Sequence, residues 1–335
     1  MGPDFFLYAI ATALVIYVLT GGADFGGGVW DLFAKGQHRE RQRLVIERAI
    51  GPIWEVNHIW TIFIVVMLFA VFPDAFAAIG VALHIPLTIA MVGIVLRGSA
   101  FTFRSYGLQP DATRRRWGHL FAWTSLVTPV VLGMTLAALA SGEIRIEDGK
   151  VTSSLLAGWT SPFAIATGVL ALVLFSLIAA VYLIFEGGGE FRADFRRKAF
   201  ATQIVAVVML VVVYGLAHLD APEFAARLDA SPYIWPLRAL IAFLAWAVLA
   251  AIKNELDWIA RAATMCQVAA VVVGFGLAMG RHLILPDLTI DDAGGHEATR
   301  LAIAPALVFG AFLLIPSLYC LFAMFKGSPS SGDDH

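Results

Sequence analysis

The chain has 335 residues, 59% of them hydrophobic and 14% charged, with a mean hydropathy of +0.80. Soluble domains carry about a quarter charged residues, so a soluble enzyme and a secreted disulfide scaffold are excluded. A formal net charge of -2 offers no footprint for a polyanion, which excludes nucleic acid as a partner.

Crossing a hydrocarbon core of about 30 Å takes roughly 20 apolar residues, and the sequence predicts nine such helices in an all-α polytopic membrane protein. In chain order they cover 5–34, 50–72, 76–103, 116–140, 162–185, 199–218, 232–252, 262–280 and 300–325. Met1-Gly2-Pro3-Asp4 lacks the basic region of a cleaved signal peptide, so the first helix is expected to be a retained span. The seventh is the weakest, with Trp235, Pro236 and Arg238 near its start and Trp246 within it, the pattern of an interface anchor or a tilt.

Seventeen of the 23 basic residues fall in one set of loops and helix ends, among them Lys35, Arg39, Arg114 to Arg116, Arg192 to Lys198 and Lys253. The other set holds Arg145, Lys150, Arg227, Arg238, Arg281 and Arg300 beside acidic loops. The positive-inside rule then places the N-terminus outside and the C-terminus in the cytoplasm, an arrangement that needs an odd number of spans.

Helix one ends in Gly21-Gly22-Ala23-Asp24-Phe25-Gly26-Gly27-Gly28 and helix five in Glu186-Gly187-Gly188-Gly189-Glu190-Phe191, each before a basic stretch. This echo suggests two four-helix bundles in parallel orientation plus an extra helix. The expected division is a first bundle over 1–140, a second over 141–280, an outer loop with the ninth helix over 281–325, and a disordered polar tail over 326–335.

Ionisable groups inside a span are costly and therefore informative. Asp24 lies about 19 residues into helix one, in the cytoplasmic third of the membrane. Glu55 lies just inside helix two, which starts from the same face. A partly desolvated carboxylate has a raised pKa suited to proton transfer; the plain alternative is that each acid pairs with a base or caps a helix. Gly22 and Gly26, four apart on one face, point to close helix packing, and the run lacks the Lys-Ser/Thr ending of a phosphate loop.

Helix two opens with Gly51-Pro52-Ile53-Trp54-Glu55-Val56-Asn57-His58-Ile59-Trp60, too polar for a helix facing lipid only. His58 and His84 are a conceivable metal-ligating pair, but each lies roughly 12 Å in from opposite membrane faces, so their levels differ by several ångströms. His218 and His282 both sit near outer helix ends and could meet, the plain alternative being that each is a solvated interfacial histidine. In helix three, Arg97 and Arg104 share one face, two turns apart. Arg104 is expected to snorkel to headgroups and the deeper Arg97 to pair with Glu55 or Asp24. Cys266 and Cys320 sit in apolar segments as small hydrophobes.

Three of these segments carry a resemblance. Gly22-Ala23-Asp24-Phe25-Gly26-Gly27-Gly28, Pro52-Ile53-Trp54-Glu55-Val56-Asn57-His58-Ile59-Trp60 and Arg97-Gly98-Ser99-Ala100-Phe101-Thr102-Phe103-Arg104 resemble, in order, the motifs of subunit II of the cytochrome bd quinol oxidases. The motifs cover the first third of the chain. Gly21 stands where many members have an acid, Val56 replaces a Gly, and His58 stands where Gln or Glu is common, the marks of a divergent branch.

The resemblance implies a haem-free integral subunit of a bacterial cytoplasmic-membrane oxidase that passes electrons from quinol, or a related donor, to O2. It also implies a haem-bearing subunit I homologue as heterodimer partner, holding b-type haems with or without a d-type haem. Small accessory subunits or a cytochrome c donor are compatible with it. This chain would bind no metal, contribute to proton uptake through Glu55 first and Asp24, His58 and Arg97 with it, and offer Trp54, Asn57 and Trp60 as contacts for a quinone or lipid. Two other readings are a secondary transporter, suggested by the glycine-interrupted helices, and a purely structural or assembly subunit.

Overall fold

Within hydrocarbon every backbone polar group needs a partner in its own chain, and long apolar runs meet that need as helices. The computed structural model describes residues 2–34, 39–50, 54–106 and 111–326. The elements are α1 (Pro3–Phe33), α2 (Arg39–Ile50), α3 (Trp54–Val71), α4 (Pro73–Ala82), α5 (His84–Tyr106), α6 (Asp111–Ala140), the hairpin β1 (Ile146–Glu147) and β2 (Lys150–Val151), α7 (Pro162–Glu186) and α8 (Gly189–Asp220). They continue with α9 (Pro222–Ala230), α10 (Ile234–Lys253), α11 (Asp257–Met279), the hairpin β3 (His282–Ile284) and β4 (Leu288–Thr289), and α12 (Glu297–Lys326). Among the described residues eight helices are long and apolar enough to cross a membrane, and the bent pair α3 and α4 makes nine when counted as one span.

Three expected boundaries change. The third span does not begin at 76: the expected helix is broken at Leu83 (φ -116°, ψ 22°), α5 starts at His84, and the residues before it form α4, which turns away from α3 by 117°. That turn falls at Phe72, whose φ of -126° and ψ of 62° are not helical, and Pro73, with no N–H to donate, opens the new helix at its first position. The basic stretch after α1 is itself a helix, α2, which buries Ile46 and Ala49. The basic residues after α7 belong to α8, which starts at Gly189 rather than 199 because Gly187 and Gly188 cap and restart the chain within two residues. The tail 327–335 lies outside the described residues.

Helix α7 is the hub, packing against α1, α6, α8 and α11. Small residues let it do so. A Cβ at Gly26 would lie 2.0 Å from the Phe175 carbonyl oxygen, and one at Gly133 would lie 2.8 Å from the Gly168 Cα. These close crossings bear out the packing reading of the α1 glycines. By contrast α12 leans mainly on α3 and is largely uncovered, with Phe309 and Phe312 exposed.

Loop charges tie each end of the helices together. At one end Arg196 of α8 bonds Asp257 of α11 at 2.8 Å and Glu255 at 2.9 Å. At the other, the acids that accompany the few bases find partners. Arg145 meets Asp287 at 3.0 Å, Arg281 meets Asp291 at 2.7 Å and also Asp4, and Asp229 takes both Arg238 and His218. Asp148 and Gly149, both at positive φ (49° and 73°), form the Asp-Gly turn of the first hairpin, the turn chemistry that suits two-residue hairpins.

His218 and His282 do not bond each other: His218 pairs with Asp229 at 3.0 Å, and both ring nitrogens of His282 lie 3.3 Å from the Arg227 guanidinium. A guanidinium only donates, so it needs a neutral imidazole as acceptor. Burial, and then Arg227, hold the His282 pKa below its ordinary 6.5. The unfolded chain therefore takes up this proton more readily than the folded one. Stability is fully present above the unfolded value and declines as pH falls through it. The thermal midpoint of the protein is expected to drop between about pH 7 and about pH 5, and His282→Gln to remove part of that slope.

Candidate functional site

The apolar face of α1 carries two acids, and each meets an arginine of α5. Asp24 and Arg97 are both only 2% exposed. Arg97 Nη1 donates to Asp24 Oδ2 at 2.8 Å, and Nη2 donates to Oδ1 at 2.7 Å and to the Asp24 carbonyl at 2.9 Å. Its Nε donates to Ser125 Oγ on α6 at 2.9 Å, and that hydroxyl donates to the Phe121 carbonyl at 2.7 Å. The rings of Phe25 and Phe121 cover the guanidinium, their centroids 4.6 and 4.7 Å from Cζ, an attraction that strengthens when water is excluded.

Burying two charges is repaid only when the geometry is good and the remaining donors are satisfied. Both conditions hold here. The glycines make it possible: a Cβ at Gly28 would stand 2.1 Å from Ser125 Oγ, so only glycine lets that hydroxyl reach Arg97. Ser125→Ala leaves Nε without its acceptor, and a thermal melt of the purified protein is expected to show a loss of about 1–3 kcal/mol.

Seven residues along both helices the arrangement repeats. Asp31, 1% exposed, accepts from Arg104 Nη2 at 3.0 Å, with Arg43 Nε of α2 at 3.6 Å from the same oxygen. Arg104 Nε also lies 3.5 Å from Glu47 of α2. Arg104 therefore does not snorkel. A carboxylate inside the protein offers it a desolvated partner, and its side chain is 11% exposed.

Asp31 was not among the residues singled out from the sequence. The available signal was the matched spacing of Asp24 with Asp31 and of Arg97 with Arg104, seven residues or about 10 Å on parallel helices.

Of the two partners expected for Arg97, the structure brings Asp24. The side chains of Trp54 and Glu55 lie outside the described residues. Asn57 is 2% exposed, and neither of its amide atoms has a hydrogen-bond partner among the described residues; the same is true of Trp60 Nε1. His84 Nδ1 bonds the Val81 carbonyl at 2.9 Å. Among the described residues no group of three or more His, Cys, Asp or Glu could hold a metal ion.

With this geometry in place, comparison with known proteins is decisive. The family model described as cytochrome bd terminal oxidase subunit II matches residues 3–325. The chain belongs to that family. It is 22% identical to the putative cytochrome bd menaquinol oxidase subunit II of Bacillus subtilis, over 92% of this chain and 91% of the relative. It is also 22% identical to subunit 2 of the cytochrome bd-I ubiquinol oxidase of Escherichia coli K12, over 94% and 92%. A chain of the bd oxidase structure from Geobacillus thermodenitrificans superposes with a TM-score of 0.80 at 22% identity, covering 98% of this chain and 99% of that one. As a bd-family subunit II, this chain is one part of an oxidoreductase complex, and its long apolar helices make it a multi-pass membrane protein.

Proposed function

We propose that this chain is the haem-free subunit of a bd-type oxidase in a bacterial cytoplasmic membrane, paired with a haem-bearing subunit I homologue that carries electrons from quinol to O2. The match of residues 3–325 to the subunit II family supports the reading most directly. Within it, the N-terminus lies outside and the C-terminus in the cytoplasm, following the basic residues at the end that holds α2, Arg196 and Lys253. Helices α1, α3, α5 and α6 form one four-helix bundle, and α7, α8, α10 and α11 the other. Small accessory subunits and a cytochrome c donor are compatible with this arrangement.

Two roles divide between the acids. The Asp24 carboxylate is saturated by Arg97, so this pair serves as an electrostatic strut that fixes α1 against α5 and α6. Glu55, at the first turn of α3 and on the same side of the membrane, is the carboxylate that takes protons toward the haems, with His58 beside it. The amide of Asn57 and the indole of Trp60, both without a hydrogen-bond partner among the described residues, offer hydrogen bonds to a quinone or lipid head group, with Trp54 adjacent in sequence.

Purification from native membranes under mild detergent is expected to bring down this chain with one haem-bearing polytopic partner. After dissociation, all haem should stay with the partner. Haem retained by this chain, or a chain recovered alone that moves a solute across vesicle membranes, would overturn the reading.

A further inference from the structure

The half of the molecule built from α7, α8, α10 and α11 contains a second polar feature that the acid–arginine ladder does not explain. Gln203 on α8 and Gln267 on α11 are 0% exposed and Thr264 is 1% exposed. Neither the two amides nor the Thr264 hydroxyl has a hydrogen-bond partner among the described residues. All three lie inside spanning helices, where lipid supplies no substitute.

Their positions are matched. Arg196 and Asp257 join α8 to α11 at 2.8 Å, both helices run away from that bond, and Gln203 and Thr264 each lie seven residues beyond it. Seven residues are nearly two turns, so both groups sit about 10 Å deeper at one level within the half built from α7, α8, α10 and α11. Gln267 follows Thr264 by three residues on the same face.

Small residues surround them. Ala199 and Ala206 flank Gln203 one turn below and above, Ala260 and Ala263 precede Thr264, and all four are buried. Thr264 also lines a cavity of about 20 Å³ with Ala23, Ile178, Tyr182, Arg261 and Met265. A single water needs roughly 10–15 Å³ and two to four polar partners.

We infer that internal water in the membrane core of this half of the subunit satisfies the buried polar groups of Gln203, Thr264 and Gln267, with the cavity beside Thr264 as one of its places. Buried amide and hydroxyl groups without a protein partner are satisfied by water, which donates and accepts in any combination. The acidic and basic groups at the helix ends, Arg196, Asp257 and Arg261, give the site a polar approach from the α8–α11 end. The site does not depend on the proton-uptake role of Glu55.

Two measurements on the intact complex test it. A density map resolved well enough to show ordered water is expected to contain water bonded to Thr264 Oγ1 and to at least one of the two glutamine amides. Direct bonds between these side chains or to main chain, with no water, would overturn the inference. In radiolytic hydroxyl-radical labelling, Met265 at the cavity wall is expected to oxidise several-fold faster than Met209, half-buried on α8. A Q203L/T264V/Q267L variant should bring Met265 down to the Met209 rate. Equal rates for the two methionines in the unsubstituted complex would overturn the inference without reliance on the variant folding.

Discussion

Arg97→Ala is expected to abolish accumulation of the assembled complex. Removing the guanidinium leaves the Asp24 carboxylate 2% exposed with its partner gone, and breaking a buried pair from one side costs about 3–5 kcal/mol. Native stability is about 5–15 kcal/mol, so this one change consumes a large share of it. Arg97→Lys is expected to fare little better, because an ammonium cannot hold both carboxylate oxygens, the Asp24 carbonyl and Ser125 Oγ at once as the planar fork does. The double change Asp24→Leu with Arg97→Met removes both charges and should recover most of the loss, since well-packed apolar replacements of buried pairs are often neutral. Immunoblots of membranes together with the haem absorbance of the complex measure this. Wild-type levels of Arg97→Ala would show that the pair carries no stability.

Gly26→Ala is expected to be nearly as damaging, for a steric reason. The new Cβ would stand 2.0 Å from the Phe175 carbonyl oxygen, 2.6 Å from its carbon and 2.7 Å from the Ala179 Cβ. Two of these are backbone atoms of α7, the most deeply packed helix, so no rotamer relieves the clash and α1 must back away. Overpacking typically costs about 1–3 kcal/mol and more when backbone moves, and here the displacement also pulls Asp24 from Arg97. Gly215→Ala is the control. Nothing lies within 4 Å of a Cβ there, and alanine in mid-helix gains about 1 kcal/mol in propensity. Thermal midpoints of the purified complex should therefore fall for Gly26→Ala and hold or rise for Gly215→Ala.

The spans were legible because twenty apolar residues in a row have few other uses, and the α1 glycines because a small residue every fourth position marks one close-packed face. Arg97 was legible as a buried cation in need of an acid. What the sequence hid was amphipathic or broken. Helix α2 is too polar for a span, so it reads as loop until Ile46 and Ala49 are seen packed on the bundle. Helix α4 reads as the start of the third span, and only the non-helical backbone at Leu83 separates it from α5. Asp31 was missed because it stands near the end of its helix, where an acid passes for a solvated one. Its burial comes from α2 and α5, which fold back over it, and nothing local to Asp31 encodes that. Gln203 and Gln267 were passed over for a similar reason: an uncharged amide barely disturbs a hydropathy profile.

On the proposed function, this subunit holds no haem and supplies a carboxylate to the proton supply of an oxygen-reducing complex. Glu55→Gln tests it most directly, because the amide keeps the size of the side chain and removes only its ability to carry a proton. Quinol-driven oxygen consumption is measured beside the haem spectrum of the same preparation. Turnover is expected to slow by about tenfold or more with haem content and spectrum unchanged. Unchanged turnover with intact haems would contradict the proposal and leave the subunit a scaffold.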